Sequence, residues 1–240
     1  MDVIGVIPAR FHSSRFEGKI LVDIGGKPMI QHVWERAKQA KLLDDLIVAC
    51  DDQRTYDAVV KFGGNAIFTA KEHPSGSDRI TEIINPLDVK IVVNIQADEP
   101  MVRPSMINGI VEELMKDESL VVATIAKKIE RPGEIDDPNV VKVVFDKNNF
   151  ALYFSRSAIP FIREGRSQEL PYYKHIGLYA YTKDFLFTYK NLSSSKLEEL
   201  EKLEQLRILE HGYKIKIVET QFDTYGVDVP EDLEQVRKYI

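Results

Sequence analysis

The first half of the chain alternates short apolar runs with amphipathic segments, and this order constrains the fold more than any other feature of the sequence. Residues 46–50 are apolar throughout, which is typical of a strand buried on both faces of a parallel sheet. Strands are expected at residues 3–8, 46–50, 65–68, 90–95 and 120–125, with a helix after each of the first four. This βαβαβαβαβ order predicts an α/β fold, with a mostly parallel central sheet and helices on both sides.

The pattern changes after about residue 140. Further strands are predicted at residues 140–145, 151–154, 174–181 and 214–218, with a hairpin turn at residues 147–149. Leucines at positions 197, 200, 203 and 206 predict one helix over residues 196–209, with Glu198 and Lys202 as a supporting pair. A closing helix is expected over residues 230–236. Because no linker interrupts the chain, we expect one domain with a smaller second lobe.

The composition excludes several classes of protein. Hydrophobic residues make up 44% of the chain, and no apolar run approaches the roughly 18 residues that span a bilayer. A net charge of −6 argues against a nucleic-acid surface, which needs a basic field. Cys50 is the sole cysteine, so no internal disulfide forms, and a cytoplasmic location is expected. The histidines lie far apart, without the spacing of zinc ligands.

The loop after the first strand carries the strongest signal for a binding site. Pro8 cannot donate to a sheet ladder, so we expect it to end the strand. The cations Arg10, Arg15 and Lys19 then follow with the hydroxyls of Ser13 and Ser14, at the strand end where open α/β sheets bind ligands. The spacing fits neither a P-loop nor a dinucleotide fingerprint. The sequence therefore favours a phosphate site formed by side chains, over a merely solvated loop.

Asp98 and Glu99 follow the strand at residues 90–95 directly. Adjacent residues of an extended chain point to opposite sides, so one carboxylate, taken as Asp98, faces the site and Glu99 makes a structural contact. Magnesium needs only one or two carboxylates beside substrate phosphates. Two interpretations of Asp98 stay equally open on these grounds: a Mg²⁺ ligand, or a turn residue before Pro100. Asp51 and Asp52 precede a helix and are interpreted as structural, capping residues.

Six motifs in order resemble one family. They are Ile7-Pro8-Ala9-Arg10 with Ser13-Ser14-Arg15 and Gly18-Lys19, Gly26-Lys27-Pro28-Met29-Ile30, Asn94-Ile95-Gln96-Ala97-Asp98-Glu99-Pro100, Ala151-Leu152-Tyr153-Phe154-Ser155-Arg156, Leu203-Glu204-Gln205-Leu206-Arg207 and Gly226-Val227-Asp228. The chain closely resembles the 3-deoxy-manno-octulosonate (Kdo) cytidylyltransferases over about residues 3–233. Any one motif alone would be weak, whereas six in order make chance similarity improbable.

The resemblance implies a Rossmann-like nucleotidyltransferase fold of the GT-A type and a homodimer. It also implies an enzyme that uses Mg²⁺ and CTP to make CMP-Kdo and pyrophosphate for lipopolysaccharide biosynthesis. Residues 1–130 would then form a nucleotide-binding half, and about 131–215 a lobe for the sugar acid and for dimerisation. Residues 216–240 would return to the core.

The resemblance also assigns roles to individual residues. Arg10, Arg15 and Lys19 would hold the triphosphate, while Ala9, Pro74, Ser75, Gly76 and Arg79 would surround the cytidine. Gln96 would lie between nucleotide and sugar, and Asp98 and Asp228 would bind the metal. Arg156 would meet the sugar carboxylate, and the sugar hydroxyls would contact His175, Tyr179, Glu204 and Gln205. Lys19, Asp98, Asp228 and Arg10 would be the catalytic set.

Some positions depart from the usual family pattern. Ser14, Phe16, Glu17 and Ile20 occupy variable places in the opening loop, and Ala97, Ala180 and Val229 replace usual residues in later motifs. Glu17 places a negative charge beside the expected triphosphate site. The sugar could accordingly be Kdo, its 8-amino analogue or another acid sugar such as a sialic acid. A nucleotide-binding protein without chemistry is the alternative from another functional class.

Overall fold

The computed structural model describes residues 1–13, 15–73, 76–163 and 172–240. The strands found there are β1 (Val3–Ala9), β2 (Asp23–Ile24), β3 (Lys27–Pro28), β4 (Asp45–Cys50), β5 (Asn65–Phe68), β6 (Ile91–Asn94), β7 (Val122–Lys128), β8 (Lys142–Phe145), β9 (Ala151–Ser155), β10 (Tyr173–Thr182) and β11 (Lys216–Thr220). The helices are α1 (Met29–Ala37), α2 (Gln53–Lys61), α3 (Gly76–Ile84), α4 (Pro104–Lys116), α5 (Gly133–Asp136), α6 (Lys183–Asn191), α7 (Lys196–Glu201), α8 (Gln205–Glu210) and α9 (Asp232–Val236), with a 3₁₀ turn at Lys19–Leu21.

One large sheet organises the molecule. Its main path runs β11-β7-β10-β6-β1-β4-β5, and the β8–β9 hairpin joins it through β10. β1 pairs in parallel with β4 and β6, whereas β10 runs antiparallel between β6 and β7. The predicted mostly parallel α/β sheet is therefore confirmed. The insertion of β10 between two strands that are consecutive in the first half was not foreseen from the order of elements.

Helices cover both faces of the sheet, as the buried strand runs require. Alternate residues of a strand point to opposite faces, and in β1 Ile7 packs into one core cluster while Ile4 and Val6 pack into the other. The first cluster contains residues of α1, α4 and α9, and the second contains residues of α3, α6 and α8. The sheet thus separates two apolar layers, and its strand ends are left for polar loops.

Pro8 lies inside β1, so the prediction that it ends the strand was wrong. β1 stays paired with β4 as far as Ala9, but with β6 only as far as Val6. The Val6 carbonyl accepts a hydrogen bond from the β6 side, and residues two apart along a strand face the same neighbour. The missing N–H of Pro8 consequently faces the side where β6 has already ended, and no ladder hydrogen bond is lost.

The predicted helix over residues 196–209 is divided into α7 and α8, which was a second error. Lys202 separates them with a left-handed backbone (φ 54°). A strict three-residue leucine spacing drifts away from the 3.6-residue helical period, and Leu200 is 70% exposed while Leu203 is buried. Glu198 pairs with Arg207 of α8 instead of Lys202. The ion pair between Glu198 and Arg207 therefore links α7 to α8 across the break.

Other element boundaries differ by a few residues. The polar loop expected at residues 71–79 is shorter, because α3 begins at Gly76 and takes Arg79 into the helix. The hairpin turn at residues 147–149 is confirmed, with β8 and β9 antiparallel on either side of it. Asp52 caps α2 by accepting the Arg54 N–H, as its capping interpretation required. The division of the chain at residues 130 and 215 stays a prediction.

No helix in the described ranges is long and apolar enough to cross a membrane.

Candidate active site

The opening loop is folded back against the end of the sheet. The Phe11 N–H donates to Asp51 Oδ1 at 3.0 Å, and the Arg54 guanidinium stacks 3.5 Å above the Phe11 ring. Gly18 lies with φ 65° beside the same ring, where a Cβ would come within 2.9 Å of it. A glycine is needed here for both reasons. These contacts hold the cationic loop over the carboxyl ends of β1 and β6.

Lys19 brings three distant segments of the chain together. Its Nζ donates to Asp98 Oδ2 at 2.7 Å, to the Val227 carbonyl at 2.8 Å and to Asp228 Oδ1 at 3.0 Å. The side chain is only 12% exposed. Burial lowers the pKa of Lys19, but the carboxylates of Asp98 and Asp228 outweigh burial and raise it above the ordinary lysine value. Lys19 is therefore a fixed cation between two carboxylates.

Arg10 and Arg15 complete the cationic side of the site. The Nε and Nη2 atoms of Arg10 are buried without a hydrogen-bond partner among the described residues, an arrangement that is costly unless a ligand satisfies it. Arg15 is exposed, and its Nη1 lies 3.3 Å from Asp228 Oδ2. A cavity of about 390 Å³ lies beside Arg10. It is lined by Pro8, Arg10, His12, Ser13, Lys19, Ile20, Gly76, Gln96, Ala97, Asp98 and Glu204. Arg15 and Asp228 lie outside this lining.

A second cavity of about 270 Å³ adjoins the first. Gly76, Gln96 and Glu204 line both cavities, so Gln96 lies where the two cavities meet. The other lining residues are Ser77, Asn94, His175, Gly177, Tyr179, Tyr181, Tyr189, Lys202, Leu203 and Gln205. All the residues expected to contact sugar hydroxyls, His175, Tyr179, Glu204 and Gln205, are brought together there.

The second cavity offers mostly uncharged hydrogen-bonding groups. Burial lowers the pKa of His175 to about 3 and raises the pKa of Tyr179 well above its ordinary value. The Thr124 hydroxyl donates to the Leu178 carbonyl at 2.9 Å, so it accepts from His175 Nε2, which lies 3.0 Å away. Burial also raises the pKa of Glu204. Such a lining suits a polyhydroxylated ligand.

Arg79 and Arg156 also lie outside the cavities of their assigned roles. Arg79 is fully buried, and its guanidinium donates to Asp51 Oδ2 and the Ala70 carbonyl, both at 3.1 Å. A buried charge needs such partners. Because Asp51 also accepts the Phe11 N–H, Arg79 holds in place the carboxylate that anchors the opening loop. It does not line either cavity.

Arg156 likewise lies outside both cavity linings. Its Nε donates to the Glu201 carbonyl at 2.8 Å and its Nη1 to the Pro138 carbonyl at 2.9 Å. These carbonyls accept two of the five guanidinium N–H donors, so in this structure Arg156 connects β9 to the end of α7. Pro74 and Ser75 lie outside the described residues, and Ala9 is the buried last residue of β1.

The predicted metal ligands Asp98 and Asp228 converge. Both carboxylates lie within 3.0 Å of the same Lys19 Nζ, so they are close enough to share one small cation. In the described ranges, this site included, no group of three or more His, Cys, Asp or Glu side chains could hold a metal. Two carboxylates fit Mg²⁺, which takes its remaining oxygen ligands from phosphates and water. The donor set therefore suits the expected ion.

Glu99 Oε2 is a buried oxygen, and Glu99 Oε1 lies beside Gly226. Burial, together with the nearby Asp98 charge, raises the pKa of Glu99 to about 8. A Cβ on Gly226 would lie 2.9 Å from Glu99 Oε1, so a larger residue at position 226 would displace the Glu99 carboxyl group.

The sequence analysis did not single out several lining residues of the second cavity. Tyr181 had a usable signal, because it continues the two-residue spacing of His175, Gly177 and Tyr179 along β10, which places all four on one face. Ser77 and Tyr189 had none, since they come from α3 and α6 and reach the cavity only through tertiary packing. The β10 residues reach the cavity because β10 lies between β6 and β7 in the sheet.

Comparison with known proteins identifies the family. Residues 4–216 match the model of the family described as Cytidylyltransferase. The chain is 50% identical over 236 residues to the 3-deoxy-manno-octulosonate cytidylyltransferase of Solibacter usitatus, covering 98% of this chain and 93% of that protein. It is 51% identical over 238 residues to the enzyme of the same name from Syntrophus aciditrophicus, with coverage of 98% and 96%.

A solved structure agrees with these relatives. It is a CMP:2-keto-3-deoxy-manno-octonic acid synthetase complexed with CTP, which superposes with a TM-score of 0.94 at 44% sequence identity. The match covers 100% of this chain and 98% of that chain, so the predicted nucleotidyltransferase fold is confirmed along its whole length. The chain belongs to the 3-deoxy-manno-octulosonate cytidylyltransferase family.

Proposed function

We propose that this protein transfers CMP from CTP to the anomeric hydroxyl of Kdo, with release of pyrophosphate. The observation that carries the proposal is the pair of adjoining cavities with different chemistry. One contains Arg10, Lys19 and Asp98, and the other is lined mostly by uncharged hydrogen-bonding groups, beside Lys202 and Glu204. Gln96 and Glu204 belong to both. A triphosphate and a polyhydroxylated sugar acid would meet where the cavities join.

The cationic residues bind and orient the triphosphate. The buried Arg10 guanidinium has unpartnered donors for phosphate oxygens, and Lys19 supplies a compact charge with few conformations open to it. As the sugar hydroxyl attacks the α-phosphorus, negative charge grows on the departing pyrophosphate. Fixed cations stabilise that charge without reorganising, and the fixed geometry keeps attacking and leaving oxygens in line.

Asp98 and Asp228 would hold Mg²⁺, which neutralises phosphate charge and activates the attacking hydroxyl when bound. These carboxylates otherwise share the Lys19 ammonium. Lys19 therefore keeps the two acids close together despite their mutual repulsion. Their arrangement around Lys19 supports the assignment of both as the metal ligands.

The second cavity would orient the sugar. His175 is neutral around pH 7 because burial lowers its pKa to about 3, and it can hydrogen-bond sugar hydroxyls together with Tyr179 and Gln205. Gln96 donates to Asn94 Oδ1 at 3.2 Å, which holds its amide at the junction. A contact between Arg156 and the sugar carboxylate would require that guanidinium to leave the Glu201 and Pro138 carbonyls.

A homodimer in the cytoplasm is part of the same proposal. Leu152, Phe161 and Leu200 of the second lobe are 62%, 88% and 70% exposed, and a dimer interface over this lobe would bury their apolar side chains. The single buried cysteine, Cys50, suits a reducing compartment. Light scattering of the purified protein would measure the oligomeric state directly.

Pyrophosphate release tests the function. The purified protein is incubated with CTP, Mg²⁺ and one sugar: Kdo, 8-amino-Kdo or N-acetylneuraminate. Release with Kdo well above release with the other two is expected, whereas preference for either of the others would assign a different sugar. Binding of CTP without product from any sugar would favour the non-catalytic alternative. Omission of Mg²⁺ with EDTA present should abolish release.

A further inference from the structure

The opening loop contains a histidine–carboxylate pair, His12 and Glu17, that has no role in the reaction proposed above. Nδ1 of His12 lies 3.2 Å from Glu17 Oε1. The ring of Phe11, which is itself buried, packs edge-on against the His12 imidazole, with 5.6 Å between centroids. The negative charge of Glu17 would repel a triphosphate if it acted alone. Its contact with His12 gives this carboxylate a partner within the loop.

His12 lies at the nucleotide cavity. It lines that cavity beside Arg10, Ser13 and Lys19, and it does not line the sugar cavity. Because Nδ1 faces Glu17, the second ring nitrogen, Nε2, is the one left for a ligand, and it has no partner among the described residues. A carboxylate on one imidazole nitrogen orients the ring, and a phosphate contact through Nε2 then uses the ring with a proton on each nitrogen.

We propose that His12 is a further phosphate-binding residue, that it contacts the terminal phosphates of the nucleoside triphosphate through Nε2, and that Glu17 positions it. This inference rests on the proposed function only in requiring that the first cavity binds CTP. Among the lining residues, Arg10 and Lys19 are the other cationic groups, so an imidazolium would extend the same positive field. Glu17 then acts through His12 and is not itself a phosphate ligand.

Equilibrium binding of CTP and CMP to the variants tests the contact. His12→Ala should weaken CTP binding about fivefold, because a charge-assisted hydrogen bond at an exposed position is lost. CMP binding should stay within about twofold, because CMP lacks the terminal phosphates. His12→Gln, which keeps a donor near Nε2, should bind CTP better than His12→Ala. Equal loss for CTP and CMP, or no loss for CTP, would overturn the proposal.

A double-mutant cycle tests the role of Glu17. Glu17→Ala should weaken CTP binding about twofold when His12 is present, and should leave it unchanged or strengthen it in the His12→Ala background. If Glu17→Ala strengthens CTP binding equally in both backgrounds, Glu17 is only a repelling charge and the positioning role is wrong. His211→Ala is a matched control, because His211 is an exposed histidine outside both cavity linings.

The two hypotheses can fail separately. Should the wild-type protein bind CTP but release no pyrophosphate with Kdo, the proposed function fails while the binding cycle still decides the role of His12. Should the wild-type protein turn over Kdo while His12→Ala binds CTP like wild type, only the His12 inference fails. Thermal unfolding of each variant verifies folding, and both side chains are largely exposed, at 70% and 66%.

Discussion

Asp98 and Asp228 lie far apart in the sequence, yet both accept a hydrogen bond from the Lys19 ammonium. Local pattern could predict a carboxylate after β6, since a charged group there needs a partner or a ligand. It could not predict Asp228, because nothing in the spacing says which loop returns to the sheet edge. The family resemblance predicts that residue, and in the structure the Lys19 ammonium binds it together with the adjacent Val227 carbonyl.

Removal of either carboxylate should abolish most turnover without unfolding the protein. Asp98→Ala and Asp228→Ala are each expected to lower kcat by about 10²–10³, the range for loss of one preorganised electrostatic group. Initial rates of pyrophosphate release measure the effect. Glu231→Ala is the control, since Glu231 is exposed near Asp228 but lines neither cavity. Turnover near the wild-type rate in Asp98→Ala would exclude it as a metal ligand.

Acid should destabilise the protein partly through His175. Burial lowers its folded-state pKa to about 3, below the unfolded value of about 6.5, so the unfolded chain binds the extra proton first. The contribution of neutral His175 to stability is therefore complete above about pH 6.5 and is lost as pH falls towards 3.

The expected loss is about 1.4 kcal/mol per pH unit within that window. Urea unfolding of wild type and His175→Gln at pH 7 and pH 5 measures it. The variant should lose about 2 kcal/mol less than wild type between the two values. Identical losses would mean that His175 titrates normally in the folded protein.

The elements differ in how far local sequence decides them. Strand β4 follows directly from its apolar run, because it is buried on both faces. Helix α1 follows from its helical spacing, because it buries one continuous apolar stripe. The break between α7 and α8 does not follow, because leucine spacing alone favours one helix. What decides it is the position of Glu198, which caps α7 with Ser195 and pairs with Arg207 of α8. That choice depends on contacts between helices, which a linear pattern does not contain.

The left-handed backbone at the α7–α8 break gives a stability prediction. A non-glycine residue in this region costs about 1 kcal/mol, so Lys202→Gly should raise the free energy of unfolding by roughly 0.5–1 kcal/mol. Urea denaturation monitored by circular dichroism measures the change. Lys196→Gly, at an exposed position in the first turn of α7, should have the opposite sign. If Lys202→Gly destabilises the protein, its side chain contributes more than the strained backbone costs.

At the scale of the whole molecule, the position of β10 decides where the second cavity forms. The βαβ order of the first half predicts the nucleotide side, because carboxyl ends of parallel strands meet at one edge. It says nothing about an antiparallel strand entering between β6 and β7. Once there, β10 carries His175 and Tyr179 to that same edge, beside Gln96 on the loop after β6. The second cavity thus depends on the order of strands in the sheet, which strand patterns alone do not predict.

Two adjoining cavities predict a division of effects in two-substrate kinetics. Tyr179→Phe should raise KM for Kdo about tenfold, the loss of one hydrogen bond, and leave KM for CTP unchanged. Arg10→Ala should raise KM for CTP and spare KM for Kdo, because Arg10 lines only the nucleotide cavity. Gln96→Ala should disturb both substrates and lower kcat, since Gln96 lines both cavities. Initial rates over a grid of both concentrations separate these constants. If Tyr179→Phe and Arg10→Ala each altered both KM values equally, the cavities would not bind the substrates separately.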